Sequence, residues 1–321
     1  RVYSTLIKSL AGESKLQSAI DIGIKVIIDL GVKFPCPPPP KNALKEDMIK
    51  LKIKLEKTAD AELLNYKEMI DTKIIAAMKF LQILLCATFY FGNQQYFPVL
   101  AIQMIRLTLR HGTCKESCVA IACLSFLLSG SGECKASNRI GHLAVLLLEK
   151  FKAEEYLPVI NIVYINGVHS RTMRLELGME EALDAYKKGM QVGDIEFAMF
   201  NAYLYLMMSF ISGQSLVELE MELDVFGKRM VEYKQMTASN MVLVIHCVVS
   251  NLITTKDCLS LIASQNEERE SMLAHAIEAN SYSFICHIYI FGGIEAYIFG
   301  KYELAADIAL KRQEVEKKMS R

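Results

Sequence analysis

The sequence has no excess of either charge sign, because 36 Lys and Arg side chains balance 36 Asp and Glu side chains in 321 residues. A protein whose main partner is nucleic acid needs a basic face toward the phosphate backbone. The charge balance therefore predicts that nucleic acid is not a partner.

The sequence also lacks Asn-X-Ser/Thr glycosylation acceptors, and its nine cysteines are odd in number and lie mostly within apolar runs. Secreted proteins use paired cysteines as a disulfide framework, whereas a reducing compartment leaves small buried thiols. We expect a cytoplasmic protein without structural disulfides. The chain starts Arg-Val-Tyr, without Met or an apolar leader, which is typical of a piece of a longer protein.

Catalytic motifs are missing as well. Neither His-Glu-x-x-His, nor Gly-x-Ser-x-Gly, nor a kinase catalytic loop occurs in the sequence. The stretch GSGECK, residues 130–135, lacks the full phosphate-loop pattern and is predicted to be a turn between two helices. We expect no enzymatic activity and no cofactor.

One cysteine-rich stretch, HGTCKESCVAIAC, holds His111, Cys114, Cys118 and Cys123. Structural zinc sites usually contain Cys-x-x-Cys pairs on turns, which this chain does not have. Cys118 and Cys123 fall within an apolar helical pattern, where Cys packs as a small hydrophobic side chain. The pattern predicts no metal site and leaves open whether these three thiols are redox active.

Alternation of apolar and polar residues, the mark of a half-buried strand, is absent, and helical periodicity takes its place. In residues 216–233, apolar side chains recur at steps of three and four and form one stripe: Leu216, Leu219, Leu223, Phe226, Met230 and Tyr233. Residues 42–57 are predicted to form a solvated helix capped by Asn42. We predict about fifteen helices and an all-α fold.

Two stretches have no formal charge over a length that could span a bilayer, Phe80 to Ile105 and Gln235 to Thr255. The first contains the polar and helix-breaking residues GNQQYFP, and the second contains Ser, Asn and His side chains. We therefore interpret both as buried helices of a protein that has no membrane partner.

Proline is scarce, and four of the seven prolines follow one another in GVKFPCPPPPKN, residues 31–42. Consecutive prolines lack amide donors and have a fixed φ, so this segment must be extended. It could dock into an aromatic groove of a partner, but the pattern favours a stiff connector between two helices.

A turn pattern recurs at three places in the chain. Each begins with a Gly, which allows positive φ, followed by a bulky residue and then by an Ala that lets the next helix approach. The three sets are Gly12/Leu16/Ala19, Gly193/Ile195/Ala198 and Gly300/Tyr302/Ala305. The last set, in GKYELAADIAL, resembles the second helix of the tetratricopeptide repeat. The resemblance implies an α-α superhelix of antiparallel helix pairs, in which each pair packs on its neighbours.

A second resemblance covers nearly the whole chain. The stretches KLQSAIDIGIKVIIDLGVKFP, IRLTLRHGTCKESCVAIACLSFLL, IGHLAVLLLEKF and EALDAYKKGMQVGDIEFAMFNAYLYLMMSF follow one another in order. Together they resemble the tetratricopeptide-like helical domain of large multidomain signalling ATPases, which also carry kinase-like, GAF and histidine-kinase modules. The resemblance implies a single helical-repeat domain over residues 1–321. Such a domain is non-catalytic and regulatory, and it binds a protein partner or other domains of the same chain.

The best candidate for a binding site is the group Arg106, Arg110 and His111 at the end of one helix. Arg106 and Arg110 are four residues apart and share a face, so an anionic peptide or an acidic partner surface could dock there. A purely structural role is the favoured alternative, since cations late in a helix complement its macrodipole. The 16 Met and 14 Tyr residues also permit a second function, a small-molecule sensor with a ligand in the superhelix groove.

Overall fold

The computed structural model describes residues 2–12, 15–90, 93, 95–169, 174–253, 259–279 and 281–319. Within these residues the chain is all-helical, as predicted, with no β-strand beyond one isolated bridge. It divides into two compact units. Unit 1 comprises Arg1–Arg174 and Lys188–Asp194, and unit 2 comprises Leu175–Lys187 and Ile195–Arg321. The prediction of one helical-repeat domain over residues 1–321 stays a prediction.

Unit 1 contains the first nine α-helices and two short irregular helical segments. The α-helices are α1 Val2–Gly12, α2 Leu16–Asp29, α3 Lys41–Glu56, α4 Asp60–Leu64, α5 Thr72–Tyr90, α6 Phe97–His111, α7 Ser117–Gly130, α8 Cys134–Phe151 and α9 Leu157–Ile160. A 3-10 turn, Glu154–Tyr156, precedes α9, and a π-helical segment, Asn161–Asn166, follows it.

Unit 2 is built from helices of 17 to 20 residues. They are α10 Leu175–Val192, whose last turn belongs to unit 1, then α11 Ile195–Ile211, α12 Leu216–Glu232, α13 Met236–Ile253, α14 Leu259–Glu278, α15 Tyr282–Ile298 and α16 Tyr302–Met319. Turns of three or four residues join α11 to α12, α12 to α13 and α15 to α16, and such short connections make neighbouring helices antiparallel. In both units the most extensive contacts join helices that follow one another in sequence, above all α7 with α8, α12 with α13, and α15 with α16.

The most extensive helix contact in unit 1 joins α7 and α8, and small side chains lie within it. Ser125 Oγ donates to the Ser137 carbonyl at 2.7 Å, and Ser137 Oγ donates to the Ser125 carbonyl at 2.7 Å. A side chain at Gly141 in α8 would collide with the ring of Tyr164 and with Ser125 Oγ. Gly141 is therefore required by packing, because the π-helical segment places the Tyr164 ring directly on it.

The segment after α2 is non-helical as far as residue 40, and it is anchored to unit 1. Val32 and Phe34 are buried, and Gln103 Nε2 donates to the Lys33 carbonyl at 2.8 Å. The prediction that Asn42 caps the next helix is wrong, since α3 already begins at Lys41. Pro40 precedes it in an extended conformation, with φ −64° and ψ 153°, and so ends the connector two residues earlier than predicted.

Arg139 of α8 ties the end of α3 to the start of α4. Its guanidinium donates to the Leu55 carbonyl at 3.2 Å and to the Thr58 carbonyl at 2.7 Å. It also lies 2.7 Å from the Asp60 carboxylate. A cation at a helix C-terminus satisfies carbonyls that have no partner within the helix, so Arg139 stabilises the turn between α3 and α4.

Two loops of unit 1 are joined by the isolated parallel bridge between Glu68 and Thr113. The Met69 amide donates to the Thr113 carbonyl at 2.9 Å, and the Thr113 amide donates to the Lys67 carbonyl at 2.8 Å. Gly112 has φ +115°, and a Cβ at this position would collide with the Lys67 carbonyl. The bridge therefore depends on a glycine beside it.

Two helices of the described part are long and apolar enough to cross a membrane, α5 and α13. Half of each apolar window, 50%, is buried inside the protein. The core helix of a soluble protein has the same length and composition, so these two properties do not assign either helix to a membrane.

Candidate interaction surfaces

Unit 2 has a surface groove between α12 and α13, with a volume of about 360 Å³. Apolar side chains and one glycine form most of its wall: Leu223, Gly227, Val231, Val242 and Leu243. Polar groups complete it: Asp224, Lys228, Ser239 and His246. We call this opening the α12–α13 groove.

Gly227 is the residue that leaves room in the groove. It lies in the middle of α12, and the nearest atom to a Cβ built there is Val242 Cγ1, at 3.9 Å. A glycine inside a helix lowers helix stability by about 1 kcal/mol relative to alanine, and at this position its missing side chain leaves the groove open. A Cβ added here would make an ordinary contact with Val242 and take up part of the open volume of the groove.

One side of the groove carries the ion pair between Lys228 Nζ and Asp224 Oδ2, which are 2.7 Å apart. The Lys228 side chain is 76% exposed, so the pair is solvated and leaves both groups accessible to a partner. An apolar wall with a few polar groups beside it is the composition of a peptide-binding or ligand-binding surface.

The predicted binding group at the end of α6 is divided by the structure. Arg106 lies 2.8 Å from Asp47 of α3, which gives it a partner within unit 1. Arg110 is exposed, and His111 is half-buried. Arg106 therefore has a structural role in joining α6 to α3, and the docking of an anionic partner at these three residues stays a prediction.

The cysteine-rich stretch is buried at the start of α7. Cys114, Cys118 and Cys123 are all buried. Burial, together with the nearby Glu116 carboxylate, raises the pKa of the Cys114 thiol to about 12. Burial also raises the pKa values of Cys118 and Cys123 well above the ordinary range of a thiol. Among the residues that the structure describes, no three His, Cys, Asp or Glu side chains are grouped to hold a metal ion.

The three recurring turns do not form one uniform structure. Gly193 and Gly300 follow helices with φ +78° and +71°, whereas Gly12 is the last residue of α1. The alanines Ala19 and Ala198 are fully buried, but Ala305 is half-buried.

The bulky residues of these turns differ as well. Leu16 and Ile195 are partly buried, as expected of a residue that fills the gap between paired helices. Tyr302 is 63% exposed and does not fill such a gap. Its ring instead packs on that of Tyr297, with ring centroids 5.3 Å apart.

Unit 2 also contains two buried polar groups whose partners lie on other helices. His287 of α15 lies within hydrogen-bonding distance of Tyr203 and of the Met241 carbonyl. Glu295 of α15 accepts hydrogen bonds from Asn251 Nδ2 at 2.6 Å and from Arg269 of α14. Both groups lie away from the α12–α13 groove lining and join helices to one another, which indicates a structural role.

No protein-family model matches the chain, and no curated protein sequence shows significant similarity to it.

Proposed function

We propose that the chain is a non-catalytic helical-repeat domain that binds a protein partner, and that the α12–α13 groove is the binding site. The observation that carries the proposal is the groove itself, which has an apolar wall and is open at the surface of unit 2. Grooves between two helices commonly receive the apolar face of a partner helix or peptide.

The α-α superhelix of tetratricopeptide type is part of the same proposal. Two observations support it: helices contact their sequence neighbours most extensively, and several contact the next helix but one, as α11 does with α13 and α13 with α15. Stacked helix pairs make these contacts in solenoid proteins.

The cellular setting is proposed from the sequence. The resemblance to helical domains of signalling ATPases supports a regulatory role in the cytoplasm, toward a protein partner or another domain of the same chain. The charge balance supports a function that does not involve nucleic acid. The polar residues within the two long uncharged stretches of the sequence support a function that does not involve a membrane.

A matched pair of glycine variants tests the groove. Gly227→Met should fill the groove with a flexible side chain, since a Cβ at this position makes only an ordinary contact, 3.9 Å from the nearest atom. Circular dichroism checks that the variant keeps its helix content. Gly292→Ala changes another helical glycine, one with nothing within 4 Å of its Cβ. A photo-crosslinking amino acid at Val231, which is 54% exposed in the groove wall, identifies the partner in cells.

The expected result is that Val231 crosslinks one protein reproducibly and that Gly227→Met weakens the binding of that purified protein at least about tenfold. Gly292→Ala should bind as the unchanged protein does. Equal binding by both variants would show that the partner does not use the groove.

A small-molecule sensor is the second candidate function, and the volume of the α12–α13 groove supports it. A volume of about 360 Å³ lies within the range of small-molecule sites. A metabolite that raises the melting temperature of the unchanged protein but not of Gly227→Met would support the sensor over the protein-binding function.

A further inference from the structure

Two contacts define how the helices on either side of the α12–α13 groove are aligned. A Cβ built at Gly227 of α12 lies 3.9 Å from Val242 Cγ1 of α13. Ser250 Oγ of α13 donates to Glu220 Oε1 of α12 at 2.8 Å. From the first contact to the second, α12 runs back from residue 227 to 220 while α13 advances from 242 to 250, as in an antiparallel pair. The hydrogen bond therefore lies about two helical turns from Gly227.

The hydrogen bond between Glu220 and Ser250 lies at one end of the groove. Leu223 and Asp224 of the groove lining follow Glu220 by three and four residues, and such steps share one face of a helix. His246 of the lining precedes Ser250 by four residues on α13. The hydrogen bond thus joins the two helices one turn beyond the lining residues.

The Glu220 carboxylate has no cation beside it. Its hydrogen-bond partner in the described part of the chain is the Ser250 hydroxyl, which is neutral. Lys228, the first basic residue of α12, is already paired with Asp224 at 2.7 Å. The neighbouring helix α13 contains no Asp, Glu, Lys or Arg. This end of the groove therefore carries a negative charge that no described residue neutralises.

The groove lining itself is apolar between its two ends and has no excess charge. Apolar side chains line the stretch from Val231 to Leu223, which covers about 12 Å of α12. The charges of Asp224 and Lys228 offset each other. An occupant of the groove thus meets an apolar wall about two turns long and then a single carboxylate.

We propose that the partner of the α12–α13 groove is an amphipathic helix with a basic residue at one end of its apolar face, and that this residue pairs with Glu220. The inference rests on the proposed function of the groove as a protein-binding site. A helix in a groove presents apolar side chains at positions such as i, i+4 and i+7. The 11 residues from Glu220 to Val231 span about 16 Å of helix, so a basic residue one turn beyond these apolar positions reaches Glu220.

The free carboxylate oxygen gives the groove a preference for one class of helix. Oε1 accepts from Ser250, which leaves Oε2 to accept from the guanidinium of Arg or the ammonium of Lys. An acidic residue at the same place would set two negative charges against each other. The groove should therefore bind basic amphipathic helices and reject acidic ones.

Fluorescence anisotropy of three labelled helical peptides, titrated with the whole chain, tests the proposal. The peptides share Leu at i, i+4 and i+7, and they carry Arg, Gln or Glu one turn before and one turn after this apolar face. Placing the residue at both ends makes the result independent of the direction of the helix. The Arg peptide should bind at least about tenfold more tightly than the Glu peptide, and the difference should shrink at high salt.

A matched pair of charge variants assigns the preference to Glu220. Glu220→Gln removes the charge but keeps a carbonyl oxygen that can accept from Ser250, and it should bring the three affinities within about twofold. Glu222→Gln is the control, because Glu222 accepts from Tyr205 of α11 and does not contact α13. This control should keep the full preference for Arg. Circular dichroism checks that both variants keep their helix content.

Gly227→Met separates this proposal from that of the groove itself, and it should weaken the binding of the Arg peptide at least about tenfold. Equal binding of the three peptides, with Gly227→Met still disruptive, would overturn the basic partner and leave the groove as a binding site. A preference for Arg that survives Glu220→Gln would overturn the role of Glu220. Binding of no peptide, or binding that Gly227→Met leaves unchanged, would overturn the groove as a helix-binding site and this inference with it.

Discussion

The hydroxyl of Tyr203 in α11 lies 3.2 Å from Nδ1 of His287 in α15, in the buried interior of unit 2. Nε2 of the same ring lies 2.9 Å from the Met241 carbonyl, which can only accept a hydrogen bond. Nε2 therefore carries the proton, and Nδ1 accepts from Tyr203. Both nitrogens of this imidazole are hydrogen-bonded in its neutral form, and burial disfavours its charged form.

His287 should make unit 2 sensitive to acid. Burial lowers the pKa of His287 to about 4 from the ordinary 6.5, so its contribution to stability is complete above about pH 6.5 and is lost as the pH falls toward 4. Between about pH 8 and pH 5, this one group should lower the free energy of unfolding by about 2 kcal/mol.

Urea unfolding followed by circular dichroism at both pH values measures the effect. His287→Phe should be less stable at pH 8 and should lose less stability on acidification. His142→Gln, at an exposed position in unit 1, is the control and should keep the full pH dependence. An identical pH dependence in His287→Phe would show that another group controls acid unfolding.

The Glu295 and Arg269 side chains should be strongly coupled in their contributions to the free energy of unfolding. The Glu295 side chain is 10% exposed, so loss of its partner leaves a charge buried. Arg269→Met or Glu295→Gln alone should lower the free energy of unfolding by about 3 kcal/mol. The double variant should cost clearly less than the sum, with a coupling energy of about 1–3 kcal/mol by a double-mutant cycle. Additive effects would mean that the two charges are screened from one another.

Replacing either of two helical glycines by alanine should change protein stability, but in opposite directions. Gly141→Ala should destabilise unit 1 by about 1–3 kcal/mol, because the new methyl group collides with the buried ring of Tyr164. Gly292→Ala in α15 has nothing within 4 Å and should stabilise unit 2 by about 0.5–1 kcal/mol through helix propensity. Thermal unfolding of the two variants compares them directly, and a stabilised Gly141→Ala would show that the ring yields.

Cysteine reactivity should separate into two classes. Cys36 and Cys134 are exposed and should react quickly with iodoacetamide, whereas Cys114, Cys118 and Cys123 should not react until the protein unfolds. The high pKa of the Cys114 thiol, about 12, leaves almost no thiolate at neutral pH. Peptide mass spectrometry reads out each site. Fast labelling of Cys114 in the folded protein would reopen the question of redox activity.

Sequence periodicity predicted helices well because apolar stripes are a local property. In α12 the predicted stripe residues Leu219, Leu223 and Met230 are fully buried. Tyr233, the last of the six, is 42% exposed because it lies just past the end of the helix. A stripe thus predicts burial only while the helix continues.

In helices that are apolar on all sides, the sequence does not indicate which face is buried. In α15, with its run YSFICHIYIFGG, no face is marked as inner or outer, so the partners of His287 and Glu295 could not be predicted. Those partners are 26 to 84 residues distant in sequence and meet only through helix packing. The α12–α13 groove had one local signal, a glycine in the middle of an otherwise regular helix.

The bridge between Glu68 and Thr113 should make two loops that are distant in sequence open together. The amides of Met69 and Thr113 lie outside helices, yet each donates to the opposite loop. Neither can be released without separating the same two loops, so hydrogen exchange should give both amides the same opening free energy and slower exchange than their solvated neighbours. Residues 67–69 and 112–113 thus form a single opening unit, and a proteolytic cut within either loop would be slowed by the other.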